Sequence, residues 1–372
     1  MTDLSTPDLE ALRDQLDQVD AELIAMAARR QQIVSDIGRL KQGVGRQVRD
    51  YRRERQVLDH VRARAGERGL DPDLAEDLLK RLIDASLARQ EQERGQRTGR
   101  GRGQRALVIG GAGRLGRWLA DFLDNQGYEI LLADPVLEPR PDQSVYSDWE
   151  CAPLDVELIL IACPIARSAS IITALAERQV PGLVLEVASV KTGLIKPLRE
   201  AAASGLNICA VHPMFGPDTR LLAGRNVLLM DVGHRPAVEQ AGALFADTMA
   251  EVHEIAIDQH DRLMALVLGL SHALNIAFFT ALAQSGISAD ELKAAASTTF
   301  GRQLAIARDV AAENPALYFE IQSLNAHGQW SRELLACAVQ TLATAVDDGN
   351  LNEFVGLMRA GSAFFDDLQS AR

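Results

Sequence analysis

The stretch from residue 107 to 134, LVIGGAGRLGRWLADFLDNQGYEILLAD, constrains this chain more than any other. The apolar run Ala106-Leu107-Val108-Ile109 has the character of a buried parallel strand. It turns through glycines into a helical pattern of apolar residues, Leu115, Trp118, Leu119, Phe122 and Leu123. Gly127 ends that helix, and a second apolar run, Ile130 to Ala133, leads to Asp134. Strand, tight turn, helix and strand in this order predict the first unit of a doubly wound α/β domain. Gly111, Gly113 and Gly116 supply the G-x-G-x-x-G spacing, in which one glycine makes the turn, one lets backbone approach a pyrophosphate and one allows close helix-to-strand packing.

Asp134 lies roughly 20 residues beyond the glycines, where a carboxylate accepts hydrogen bonds from the adenosine ribose. Its charge repels a 2′-phosphate and no arginine follows it directly, so the expected cofactor is NAD rather than NADP.

The 372 residues allow two or three domains, each with its own core. A net charge of −12 argues against general nucleic-acid binding. Cys151, Cys163, Cys209 and Cys337 are widely spaced, with no C-x-x-C pair and no neighbouring histidine cluster, so neither a zinc site nor a disulfide framework is suggested and a reducing compartment is expected. The acidic, polar start is not a secretory signal, and no apolar run is expected to approach the ~20 residues that cross a bilayer. A soluble, cytoplasmic protein with no membrane partner is the expectation.

The first 92 residues read as three helices, from about Asp8 to Leu40, Val48 to Ala65 and Asp73 to Gln92. So long a first helix leaves too little core for a compact monomer and predicts an intertwined dimer. Residues 93–104, ERGQRTGRGRGQ, carry no apolar side chain and read as a flexible tether, which we prefer to an RNA-binding arm. Residues 105–258 continue the strand and helix alternation, and 259–372 are helical nearly throughout. The predicted fold is therefore an all-α three-helix domain, a Rossmann-type parallel-sheet domain and an all-α C-terminal domain that extends a dimer interface.

Polar residues carry the chemistry. Arg13, Arg29, Lys41, Asp50, Arg53, Glu54, Ser86 and Gln90 fall on the three N-terminal helices and the loop between the first two, within LRDQLDQVDAELIAMAARRQQIVSDIGRLK, VRDYRRER and IDASLARQ. In these residues the segment resembles the all-helical type of chorismate mutase. That resemblance implies an intramolecular rearrangement of chorismate to prephenate, which needs a folded dianion to be held and charge on the breaking ether oxygen to be stabilised. Arg13 of a partner subunit, Arg29 and Arg53 would grip carboxylates with help from Ser86. Lys41 and Gln90 would donate to the ether oxygen, and Asp50 and Glu54 would orient the ring hydroxyl.

The larger part carries ASVK (188–191), HPMFGP (212–217) and HDRLMALVLGLSH (260–272) after the glycine turn. In these motifs it resembles prephenate dehydrogenase, and the whole is similar to the bifunctional chorismate mutase/prephenate dehydrogenases of bacterial tyrosine synthesis. The resemblance implies chorismate and prephenate as substrates, 4-hydroxyphenylpyruvate as product, tyrosine as feedback inhibitor and a homodimer. His212 is the expected hydrogen-bond acceptor and base, because neutral imidazole near pH 7 suits that task. Ser189 would orient it, His272 would contact prephenate, and His260 would hold the start of its helix. Arg302 or Arg308 would bind the ring carboxylate, with the spacing to Asn314-Pro315 one residue out of step. Two alternatives stay open: a helical domain that is an inactive regulatory module, and a dehydrogenase that oxidises arogenate.

Overall fold

The computed structural model describes residues 6–42, 51–138 and 144–370. The N-terminal region is three helices, α1 (Thr6–Gln42), α2 (Tyr51–Glu67) and α3 (Pro72–Thr98). Asp71 caps α3 by accepting from the Asp73 N–H, with Pro72 in the first turn, where a missing N–H costs nothing. The alternating region follows as β1 (Arg105–Ile109), α4 (Arg114–Asn125), β2 (Glu129–Ala133), β3 (Val145–Tyr146), β4 (Leu158–Ile161), α5 (Ile165–Glu177), β5 (Leu183–Glu186), α6 (Ile195–Ala203), β6 (Ile208–Pro213), β7 (Asn226–Met230), α7 (Arg235–Phe245) and β8 (Glu251–Glu254). Then come α8 (Ile257–Met264), a π-helical segment (Ala265–Leu270), α9 (Ser271–Gln284), α10 (Ala289–Ala294), α11 (Thr298–Ala311), α12 (Pro315–Leu324), α13 (Gly328–Asp347) and α14 (Leu351–Ser370).

The strands form one sheet in the order β3-β2-β1-β4-β5-β6-β7-β8. Its first six positions repeat the doubly wound order of dinucleotide-binding domains. β1 pairs in parallel with β2, Leu107 opposite Leu131 and Ile109 opposite Ala133, and β5 pairs in parallel with β6, Glu186 opposite Ala210. Ala106 to Ile109 are at most 4% exposed, which is why they read as an unbroken apolar run rather than an alternating one. The helix after them buries Gly116, Leu119, Ala120 and Leu123 at helical spacing.

The chain divides into two compact units. One comprises the described residues up to Leu158 with Pro213–Leu228 and Glu239–His253; the other comprises Ile159–His212, Leu229–Val238 and the described residues from Glu254 onward.

Within the first unit, the expected tether is not a tether. Residues 93–98 are the last turns of α3, and the turn that follows lies against α4 and its C-terminal end. A Cβ on Gly95 would lie 2.5 Å from Asn125 Nδ2, one on Gly99 2.2 Å from Gln126 O, and one on Gly101 2.1 Å from the Tyr128 ring. These glycines serve close approach, not freedom. Asn125 Nδ2 donates to Gln92 O, Gly101 N–H to Gln126 O, and Arg94 pairs with Asp247 at 3.1 Å. Glu91 accepts from the Leu222 and Met249 N–H groups at 2.8 and 2.7 Å, so α3 is built into the nucleotide-binding unit by both its glycines and its charges.

In the second unit, Ile257–Gln284 is a 28-residue helical run, long and apolar enough to cross a bilayer by length and composition, where the sequence predicts no such run. It packs against α11, α12 and α13 and carries His260, Asp261 and Asn275 buried. In its π segment, Gln322 Nε2 donates to Gly269 O at 2.7 Å, satisfying a carbonyl in the irregular ladder.

Gly99→Val is expected to lower the unfolding free energy by about 1–3 kcal/mol through overpacking. Gly66→Ala, at a site with nothing within 4 Å of the added Cβ, serves as control and is expected to cost nothing. Urea unfolding of the two variants measures this, and equal stability at both sites would restore the tether.

Candidate active sites

On the paired faces of α1 and α3, Ser86 and Gln90 are buried one turn apart. Arg30 Nη1 donates to Ser86 Oγ and to Leu82 O, each at 3.1 Å, and Gln90 Nε2 donates to Val34 O at 2.8 Å. Ser86 Oγ in turn donates to Leu82 O at 2.7 Å and lies 3.2 Å from Gln31 Oε1. Burial lowers the Arg30 pKa. The structure therefore places Arg30, not Arg29, in this cluster; Arg29 is exposed, as is Arg13. Helical phase was the missed signal. Ala27, Arg30, Gln31 and Val34 share the face turned to α3, and Arg29 lies a residue off it. Lys41 stands in the last turn of α1, and Arg53 and Glu54 in the first turn of α2. Asp50 lies outside the described residues.

At the end of β1 the left-handed residue is Gly110, φ 91°, so the turn falls one glycine earlier than the fingerprint suggests. A Cβ on Gly116 would lie 2.1 Å from Gly110 O, which makes that position one for close helix-to-strand packing. Gly113 is the N-cap of α4 and brings no side chain to the cap, leaving the first N–H groups of the helix available to an anion. Asp134 accepts from Ala112 N–H and Val136 N–H at 3.2 and 3.1 Å, one per carboxylate oxygen, and each oxygen retains a lone pair for a ribose hydroxyl. Gly111, Gly113, Gly116 and Asp134 thus fit a dinucleotide.

In the second unit, β6 delivers His212, 4% exposed, at its C-terminal end. His212 Nδ1 lies 2.9 Å from His260 Nε2, and His260 Nδ1 lies 2.6 Å from Asp261 Oδ1. Asp261 also accepts from the N–H groups of Lys191 and Thr192 and from the Thr192 hydroxyl. Beneath them, Lys191 Nζ sits 2.5 Å from Glu186 Oε2, both side chains fully buried, and donates to Val211 O beside His212. His260, expected to hold a helix start, is instead a buried bridge within α8. Ser189 is half-buried beyond β5, and the hydrogen bond that His212 Nδ1 makes is to His260.

His272 stacks on Tyr318 with ring centroids 4.0 Å apart, and its Nδ1 is buried. Arg302 and Arg308 are both exposed on α11. Sequence reasoning missed the roles of Asp261, Lys191 and Glu186; a charged residue inside an apolar helical pattern and a lysine following apolar strand residues were the available signals.

Burial depresses the pKa of His212, and the nearby His260 and Lys191 lower it further. Burial also lowers His260, partly offset by Asp261, and brings His272 down to about 4. Desolvation alone would raise Asp261, but the hydrogen bonds from His260, Thr192 and Lys191 outweigh it and hold the carboxyl below its usual range.

Residues 12–91 match the family described as chorismate mutase type II, 148–254 the nucleotide-binding domain of prephenate dehydrogenase, and 257–360 its dimerization domain. The chain is 30% identical to the T-protein of Enterobacter agglomerans over 322 residues, 84% of this chain and 81% of that protein. The chain belongs to the T-protein family. It joins a chorismate mutase to a prephenate dehydrogenase. It is also 27% identical to the T-protein of Haemophilus influenzae over 84% of this chain and 80% of that protein. Its dehydrogenase fold is similar to that of A. aeolicus prephenate dehydrogenase, solved with hydroxyphenyl propionate and NAD+, at a TM-score of 0.56 and 17% identity over 71% of this chain and 98% of that one.

Because the folded chain keeps His212, His260 and His272 neutral at pH values where unfolded histidines near 6.5 take up protons, the unfolded state binds more protons below that pH. Stability is therefore expected to be fully present above pH ~6.5 and to fall as the pH drops towards the depressed folded values. Denaturant midpoints between pH 7 and 5 check this, and a flat profile would contradict it.

Proposed function

We propose that the chain converts chorismate to 4-hydroxyphenylpyruvate in two steps, through prephenate. In the first, the protein supplies neither nucleophile nor proton shuttle; it holds the dianion folded and stabilises charge on the ether oxygen. Arg30, in place of Arg29, joins the partner subunit's Arg13 and this chain's Arg53 as carboxylate grips, with Ser86 beside it. Lys41 and Gln90 donate to the ether oxygen, and Asp50 and Glu54 orient the ring hydroxyl. The support is the Arg30–Ser86 contact, with Ser86 and Gln90 buried on one helix-pair face.

In the second step, NAD+ accepts the hydride from the ring carbon that bears the hydroxyl. Gly111, Gly113 and the start of α4 would hold the pyrophosphate and Asp134 the ribose, with Gly116 letting the helix pack close to the turn. His212 accepts the hydroxyl's hydrogen bond and draws its proton as hydride leaves. The ring carboxylate departs as CO2, its bonding electrons complete the aromatic ring, and His212 returns the proton to the phenolic oxygen. The observation that carries this is a buried, neutral histidine at a strand end, since only the uncharged ring can accept. Ser189 and His272 line the substrate side, and Arg302 or Arg308 takes the ring carboxylate.

The working form is a homodimer. Leu16, Val19, Leu23 and Ile24 on α1 are 59–70% exposed within one chain, a continuous apolar stripe that a second copy would cover. Phe319, Met358, Phe364 and Phe365 offer a second such surface in the C-terminal helices. We place the protein in the cytoplasm, which suits its four free cysteines, and propose tyrosine, whose ring is that of the product, as a feedback inhibitor.

Purified protein given chorismate and NAD+ is expected to form NADH without added enzyme. His212→Asn should abolish NADH formation from prephenate while chorismate consumption continues, and Lys41→Ala should do the reverse. NADH from prephenate with chorismate untouched would make the helical domain a regulatory module, and activity confined to arogenate would reassign the substrate. Light scattering is expected to give twice the chain mass, and a monomer would remove the dimer.

A further inference from the structure

We infer that His260 and Asp261 are positioning residues that set the tautomer of His212, leaving His212 Nε2 as the ring nitrogen that receives the substrate's hydroxyl proton. The inference rests on the proposed role of His212 and goes beyond it, because it names the atom and the groups that select it.

The argument runs inward from the carboxylate. Asp261 gathers three N–H or O–H donors besides His260: the backbone of Lys191, the backbone of Thr192 and the Thr192 hydroxyl. A carboxyl group so placed is anionic and can only accept. The 2.6 Å contact therefore requires His260 Nδ1 to carry a proton and donate it. His260 is fully buried, and a neutral imidazole protonated at Nδ1 has a bare Nε2, an acceptor. The 2.9 Å contact to His212 then has one solution: His212 Nδ1–H donates to His260 Nε2. In a neutral His212 the remaining lone pair is on Nε2. One buried negative charge thus determines the protonation of two successive rings.

The same chain of groups stabilises the charge that forms on His212 during the reaction. When Nε2 takes the hydroxyl proton, the ring becomes an imidazolium whose Nδ1–H already points at His260 Nε2, with Asp261 behind it. That proton can shift to His260, so the positive charge spreads towards the carboxylate before the proton returns to the phenolic oxygen. No proton is gained or lost over the cycle. Thr192 and Lys191 hold Asp261 in place, and Asn325 Nδ2, donating to Asp261 O at 2.8 Å, fixes its backbone.

Asp261→Asn reverses the logic, because the amide N–H2 donates to His260 Nδ1, His260 must then donate from Nε2, and His212 is left protonated at Nε2, unable to accept. The test uses the full-length protein labelled with 15N-histidine, with His212→Asn assigning the resonances. The expected wild-type spectrum shows His212 protonated at Nδ1, and Asp261→Asn moves the proton to Nε2. With prephenate and NAD+, Asp261→Asn is expected to lower kcat by about a hundredfold or more, as for other wrong-tautomer histidines, with KM for prephenate little changed and chorismate mutase activity intact. His260→Gln, whose amide oxygen can still accept from His212 Nδ1–H, should retain far more activity than His260→Leu.

A wild-type His212 protonated at Nε2, or one whose tautomer ignores Asp261→Asn, overturns the inference. So does equal activity in the two His260 variants, which also decides the matter should Asp261→Asn fail to fold. The nuclear resonance readout needs no turnover. If wild-type protein gave the expected tautomer but no NADH from prephenate, the functional reading would fail while the tautomer assignment stood.

Discussion

A carboxylate removed from water must be solvated by the protein, and the arrangement around Asp261 follows from that requirement. Its oxygens collect the amides that follow Val190, the Thr192 hydroxyl and the His260 ring, so the turn after β5 and the helix α8 are held to one charge. Removing a donor from such a carboxylate is costly, because the charge stays buried with a hydrogen bond unmade. The Lys191–Glu186 pair obeys the same rule one layer down, and its bond to Val211 O reaches the strand that ends in His212. Base, backbone and helix are thereby coupled in the second unit through three buried charged groups, Asp261, Lys191 and Glu186.

In the first unit, one helix does two jobs. α3 presents Ser86 and Gln90 to α1, and beyond them Glu91, Arg94, Gly95 and Gly99 to the nucleotide-binding elements. Gln90 and Glu91 are adjacent residues on different faces, one bonded to α1 and the other to the loop at Leu222 and the turn at Met249. A helix resists bending, so a shift at one face of α3 is carried to the other.

Much of this was legible in the sequence. Parallel central strands are buried on both sides and read as apolar runs, which is why β1, β2, β4 and β5 stood out. β8 did not, since all four of its residues are exposed and it lacks that signature. The 93–104 segment misled for a physical reason: glycine is used both where a chain must be free and where two backbones must touch, and composition cannot tell these apart. Arg29 and Arg30 were likewise separable only by helical phase.

What the sequence by itself determined is local and repetitive: the three N-terminal helices, the glycine turn with Asp134, the alternation that makes a parallel sheet, and His212 at a strand end. These depend on periodicity and on residue types whose backbone needs are particular. The tertiary structure alone decided which charges meet. Asp261 lies 70 positions from Lys191, and His212 lies 48 from His260, separations at which no spacing rule operates. Contacts of that kind exist because folding excludes water and leaves each buried polar group to find a partner, and the partner is chosen by the packing of the whole unit rather than by any neighbour in the chain.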